Sequence, residues 1–226
     1  YKRGKYNFTD ILSLNKMGWM VGLQMGLETA LFSITGIMIG WLGSIALAAH
    51  QVMVAISTLG FMIYYGVGAA VSVRVSNYFG RQELLHVRRT TMAGFHLILC
   101  LAVCACTVFL FSRELIGYLF TTSEEVIRVV STLVYILLAY QFGDARQITY
   151  ANSLRGIGDV ISMAVISFIG YFLIAMPVCY ICGFVLEWGI TGIWIGYPIG
   201  LTLTGVMLCG RYYWKLKTKT QSTEFY

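Results

Sequence analysis

Charge is scarce in this chain. Lys, Arg, Asp and Glu together make up 12% of its 226 residues, about half the share of an ordinary soluble domain. A water-facing surface cannot be built from so few charges, which excludes a soluble globular enzyme. Proline is scarcer, with 2 residues. That rules out polyproline and collagen-like rods and leaves helices free to run long. His-Glu-x-x-His, Gly-x-Ser-Gly and a phosphate-binding loop are all missing. An intramembrane protease and an ATP-driven pump therefore find no support, and no nucleophile–base pair marks an enzyme. Gly66-Val67-Gly68 has part of a dinucleotide fingerprint, but no strand precedes it.

What the chain does have is apolar length. Hydrophobic residues make up 58% of it and the mean hydropathy is +0.74, which identifies an integral membrane protein. Six apolar segments, 17–41, 50–76, 90–111, 126–151, 160–183 and 189–212, each come near or above the roughly 20 residues a crossing helix needs. The expected fold is all-α, a single six-helix transmembrane bundle. Residues 1–16 read as a basic segment in which Ile11, Leu12 and Leu14 suggest a short interfacial helix, and 213–226 as a basic tail. Because residue 1 is Tyr and not Met, the chain is expected to begin inside something longer.

The 6 cysteines all fall in apolar runs. Cys179-x-x-Cys182 has redox or zinc spacing, yet no second ligand pair accompanies it, so packing is the favoured role. The net charge of +6 is distributed by loop. Lys2, Arg3, Lys5 and Lys16 lie at one end; Arg81, Arg88 and Arg89 in one connection; Arg155 beside Asp159 in another; Arg211, Lys215, Lys217 and Lys219 in the tail. The intervening connections are neutral or acidic, as at Glu114, Glu124, Glu125 and Glu187. This alternation predicts six crossings with both ends cytoplasmic. The basic excess thus reports orientation, and no nucleic-acid motif accompanies it.

Local signals fill in the ends. Trp19, Trp41, Trp188 and the cluster Tyr212-Tyr213-Trp214 suit a membrane interface. Thr122-Ser123-Glu124-Glu125 reads as a capping box and Gly80 as a helix C-cap. Glycines spaced by four, Gly18, Gly22 and Gly26, then Gly36 and Gly40, suggest close helix–helix approach.

Two acids stand inside spans, where burying a charge costs about 3 kcal/mol or more. Around Asp144, at about 3.6 residues per turn, Tyr140, Gln141, Gln147 and Ala151 share its face. Around Glu28, the same face carries Gln24, Phe32 and Thr35. Polar stripes in membrane helices face the protein interior or a wet cavity, so Glu28 and Asp144 are candidates for binding an ion or substrate. Two carboxylates offer hard oxygen ligands for a cation such as Na⁺, and a proton can replace it. Whether the two converge is not readable from spacing. Arg146 lies about 200° round the helix from Asp144. It heads a second polar stripe with Thr149, Tyr150 and Ser153, suited either to snorkelling or to contact with substrate. Gln51, after His50, suits a hydrogen bond inside the bundle or a cap. Arg74 reads as a snorkelling anchor. His86 falls in the basic loop and His96 near the start of the third span.

Several stretches together carry a resemblance. They are Leu42-Gly43-Ser44-Ile45-Ala46-Leu47-Ala48-Ala49-His50-Gln51-Val52, Gly66 to Val75, Leu119 to Ile127, Gly143-Asp144-Ala145-Arg146-Gln147, Leu154 to Asp159, and Gly192-Ile193-Trp194-Ile195-Gly196. In order and spacing the chain resembles the C-terminal six-helix lobe of the multidrug and toxic compound extrusion (MATE) family, NorM-like branch. That resemblance implies a secondary antiporter of the inner membrane. It would export organic cations or amphiphiles in exchange for Na⁺ or H⁺, with no cofactor, by alternating access against an N-terminal six-helix lobe of the same polypeptide. It further implies that Glu28 and Asp144 form the cation site and that Gln51 lines the cavity. Gln24, Tyr140, Gln141, Arg146 and Gln147 complete the expected substrate cavity. The chain departs from the pattern at Gly22 and Gln24, where several members carry a proline, and at Arg146, commonly uncharged. A lipid-linked sugar flippase of the same superfamily and a non-transporting scaffold are the alternatives.

Overall fold

A computed structural model describes residues 8–224, with side chains through 219. The expected sites at Lys2, Arg3 and Lys5 lie outside the described residues. No strand occurs among them. The helices are α1 (Phe8–Gly40), α2 (Ser44–Gly80), α3 (Leu84–Phe111), α4 (Arg113–Phe120), α5 (Glu124–Gly156), α6 (Val160–Phe168), α7 (Met176–Tyr180) and α8 (Gly189–Glu224). A π-helical turn at Ile169–Ala175 joins α6 to α7, and a second at Ile181–Val185 continues α7, making one rod. Six helical stretches are long and apolar enough to cross a membrane: Phe8–Gly40, Ser44–Gly80, Leu84–Phe111, Glu124–Gly156, Val160–Val185 and Gly189–Lys219.

The centre of the bundle is α5, which packs against α2, α3, α4 and α8. In its second half nearly every side chain is buried, including Gln141, Asp144, Gln147, Thr149, Asn152 and Ser153. A helix face covered by protein can carry polar groups wherever neighbouring helices answer them. Thr91 of α3 meets both Ser153 Oγ at 3.1 Å and the Tyr212 hydroxyl at 2.8 Å. Tyr212 is therefore an interior residue, although its cluster suggested an interfacial one; Trp214 beside it is exposed.

Pro177 sits at the start of α7. Its ring excludes the carbonyl of the preceding turn and it donates no amide. The wide π-turn just before it, Ile169–Ala175, absorbs that misfit. The rod then lies close against α8 through Gly192, Gly196 and Gly200. A Cβ on Gly196 would stand 2.3 Å from Cys179 Sγ, and one on Gly192 would stand 2.2 Å from the Cys182 carbonyl oxygen. The four-residue glycine spacing that packs helices is thus in α8. Among the described residues nothing lies within 4 Å of a Cβ built on Gly18, Gly22, Gly26 or Gly40, whereas one on Gly36 would meet the His50 ring at 3.5 Å, so of these five glycines Gly36 alone faces a described neighbour.

Several local expectations change. Among the described residues the stretch with Ile11, Leu12 and Leu14 is not a separate interfacial helix: from Phe8 on it is continuous with α1, as no glycine or proline interrupts it before Gly18. Ser123 is the N-cap of α5 but its side chain makes no capping bond; instead its amide donates to Thr121 Oγ1 at 3.2 Å. The connection before it holds α4, whose Ile116 and Gly117 are buried. Gly80 is the last helical residue of α2, and the left-handed position after it is Gln82, at φ 61°.

Candidate functional site

The acids of α1 and α5 face the same region of the bundle. Glu28 is reached by two donors: Gln24 Nε2 at 3.3 Å from its own helix, and the Tyr171 hydroxyl at 3.4 Å from the π-turn after α6. Tyr171 in turn accepts a hydrogen bond from Gln147 Nε2 of α5. The cluster thus joins three helical rods around one carboxyl. The helix periodicity that puts Gln24 one turn before Glu28 makes the first contact; Tyr171 is brought in by the packing of α6 on α1.

Asp144 is 0% exposed, and neither of its carboxyl oxygens has a hydrogen-bond partner among the described residues. It lies within electrostatic range of Glu28, and Tyr140 and Tyr171 lie within range of both acids. Tyr64 also lies in range of Asp144, with its own buried hydroxyl unpartnered, as is Gln147 Oε1. Oxygens without a donor among the described residues therefore collect in one buried region. Such a donor set suits a hard cation or a proton better than any soft metal. Among the described residues no group of three or more His, Cys, Asp or Glu side chains forms a metal cluster.

Two spaces open beside this cluster. A groove of about 260 Å³ between α1 and α2 is lined by Met25, Glu28, Phe32, Ser57, Phe61 and Tyr140, among others. A smaller pocket of about 20 Å³ is lined by Gln24, Glu28, Tyr65, Gln147, Asn152 and Arg155, among others. Glu28 borders both; Asp144 lies behind it.

Of the residues expected in a substrate cavity, Gln24, Tyr140 and Gln147 gather at Glu28. Gln141 is fully buried against Gly60, with both amide atoms unpartnered. Two others stand elsewhere. Gln51 is exposed and does not line the groove, whose α2 residues begin at Val54, about one turn further on. Arg146 lays its aliphatic stem against Gly205 of α8, because Asp144 and Gln147 occupy the α5 face turned toward α1. The charge that does enter the site is Arg155, placed by spacing in a loop beside Asp159. It lies within α5, and its guanidinium donates to Gln24 Oε1 at 3.4 Å, Tyr65 at 3.2 Å and Asn152 Oδ1 at 3.3 Å. Asp159 is bound instead by Arg211 of α8, at 2.7 Å. Extending the polar stripe from Asp144 through Gln147 and Ala151 by one more turn would have reached Arg155; Tyr171 sits alone in an apolar run and gives no such signal.

Residues 21–181 match the MatE family model. The multidrug resistance protein NorM of Photobacterium profundum is 34% identical over 220 residues, covering 95% of this chain and 47% of that protein. The protein of the same name from Aliivibrio fischeri is 32% identical over 217 residues, with 94% and 47% coverage. The chain spans about half the length of the curated relatives it matches. Among solved structures, the eukaryotic MATE transporter AtDTX14 superposes with a TM-score of 0.85 at 20% identity, over 96% of this chain and 51% of that one. With a helical bundle of six candidate spans, a family match over most of its length and relatives above 30% identity, the chain belongs to the MatE family of membrane transporters.

Proposed function

We propose that this chain is the C-terminal six-helix lobe of an ion-coupled exporter of small organic cations or amphiphiles. Glu28 and Asp144 form its coupling site for Na⁺ or H⁺. The observation that carries this is Asp144, a carboxyl wholly enclosed in a membrane-spanning helix with both oxygens unpartnered and a second acid in electrostatic range. A buried carboxyl of this kind is completed by a proton or a bound cation. The chemistry a cation supplies there is charge compensation; Asp144 and Gln147 Oε1 would hold it, with Glu28 on the cavity side. The names of the NorM relatives, multidrug resistance proteins, support the substrate class.

Arriving ion or proton binds where Glu28 meets the groove. Tyr171 and Gln24 hold the Glu28 carboxyl in place. The ion drives a conformational change only to the extent that one state of the lobe binds it more tightly. Rocking of two lobes about a site near the midplane would convert that preference into release of substrate. The chain would act with an N-terminal lobe of the same polypeptide, in the inner membrane, with both ends cytoplasmic. The test is efflux of a fluorescent cation from vesicles carrying the whole transporter, driven by an imposed Na⁺ or H⁺ gradient. Glu28→Gln should abolish the driven component while leaving membrane insertion intact; undiminished efflux would remove Glu28 from coupling.

A further inference from the structure

We propose that the groove between α2 and α3 is a binding site for one anionic phospholipid. It is a space of about 390 Å³ on the outer side of the helix pair, within the roughly 300–1,000 Å³ of small-molecule sites. Its two ends differ in chemistry. One end carries the Arg74 and Arg89 guanidiniums, the Tyr78 hydroxyl and the Thr90 hydroxyl. The other is walled by Val67, Ala70, Ala93 and Leu97. Hydrogen-bond donors at one end and bare hydrocarbon at the other match a phosphate headgroup continued by an acyl chain.

The cations at the polar end are free to accept an anion. Among the described residues neither Arg74 nor Arg89 has a carboxylate within ion-pair distance; the neighbouring acid, Glu83, is turned to His86 at 3.5 Å. Both arginines are exposed. Arg74 is steadied by Tyr78, whose hydroxyl it meets at 3.4 Å and over whose ring it lies at 6.0 Å. The Tyr78 ring stacks on His86 at 5.2 Å, tying α2 to α3 across the mouth. The floor is closed where Gly94 meets Val71, since a Cβ there would fall 2.2 Å from Val71 Cγ2. The groove therefore leads nowhere into the bundle and opens at the surface of the helix pair. Arg88 points away, over the Tyr213 ring at 5.7 Å, and takes no part. A free phosphate would use the arginines and leave the apolar wall bare. The site is separate from Glu28 and Asp144, so it does not depend on the transport proposal.

The test is native mass spectrometry of the full chain in mild detergent, titrated with phosphatidylglycerol or with phosphatidylcholine of the same acyl chains. The first phosphatidylglycerol should bind preferentially, and each arginine removed should weaken it about fivefold. Arg74→Gln with Arg89→Gln should thus erase the preference, while Arg113→Gln, beyond the other end of α3, should leave it intact. Ala93→Trp keeps both arginines and fills the apolar wall; it should lower phosphatidylglycerol binding as well, which keeps the test decisive if the double variant fails to fold. Equal binding of the two lipids by the wild type, phosphatidylglycerol binding undiminished in Ala93→Trp, or displacement by millimolar inorganic phosphate would each overturn the proposal.

Discussion

Arg155 reaches Glu28 through a single side-chain amide. Gln24 accepts from the guanidinium at 3.4 Å with its oxygen and donates to the carboxyl at 3.3 Å with its nitrogen. A base at the end of α5 and an acid in the middle of α1 are thereby linked without touching. The amide lets the two charges share one network while Glu28 still borders the groove.

Gln24→Leu should leave both partners short of a hydrogen bond in a part-buried setting. A loss of about 1–2 kcal/mol of stability follows. It can be measured as a lower unfolding midpoint in a denaturing detergent titration. Gln24→Glu should not restore it, because a carboxylate paired with Arg155 has no hydrogen left to donate to Glu28.

Asp159 and Arg211 tie the turn after α5 to α8. Burial alone would raise the Asp159 carboxyl, but the hydrogen bonds from Arg211 and Ser162 outweigh it and hold the group below the ordinary carboxylate value. A depressed folded value means stability that is present above the unfolded value, about pH 4, and fades as pH falls through the folded one. Arg211→Gln should remove that component. The wild type should melt higher near neutral pH, and the two melting temperatures should converge in strong acid.

Gly196→Leu should destabilise the chain by about 1–3 kcal/mol or more through overpacking, since its Cβ would overlap Cys179 Sγ at 2.3 Å. Gly22→Ala should hold or slightly raise the melting temperature of this chain, since among the described residues nothing lies within 4 Å of the added carbon and alanine favours a helix interior by about 1 kcal/mol over glycine. A loss on Gly22→Ala comparable to that on Gly196→Leu would mean the α1 stripe packs internally after all.

Arg146→Gln should leave ion-driven efflux near wild type, because its stem lies on Gly205 and not in the groove at Glu28. Transport assays on this variant separate a packing residue from a substrate contact. Arg155→Gln, by contrast, should impair transport, as its guanidinium reaches Gln24, Tyr65 and Asn152.

The helical membrane class was legible because a bilayer forces long apolar runs, and composition records them directly. The polar face around Asp144 was legible for the same reason: acid and amide groups at helical spacing stand out against hydrocarbon. Local end signals served less well. Thr122 to Glu125 has capping-box letters, yet Ser123 makes no side-chain cap, since a cap depends on backbone angles that letters do not carry. Charge spacing puts Arg155 in a loop; α5 runs on to Gly156, and Gln24, Tyr65 and Asn152 answer the cation there. Glycine spacing recurs in α1 and α8, and only packing tells which stripe is used. Tyr171 joins the site through tertiary contact alone, 143 residues from Glu28.

The most direct measurement is gradient-driven efflux by the Asp144→Asn variant of the whole transporter in vesicles. Asparagine keeps the size of the side chain and removes its ability to bind a proton or cation as a carboxylate. With insertion and melting temperature retained, driven efflux should fall to the level of protein-free vesicles. Efflux at the wild-type rate would contradict the assignment of Asp144 as the coupling carboxyl.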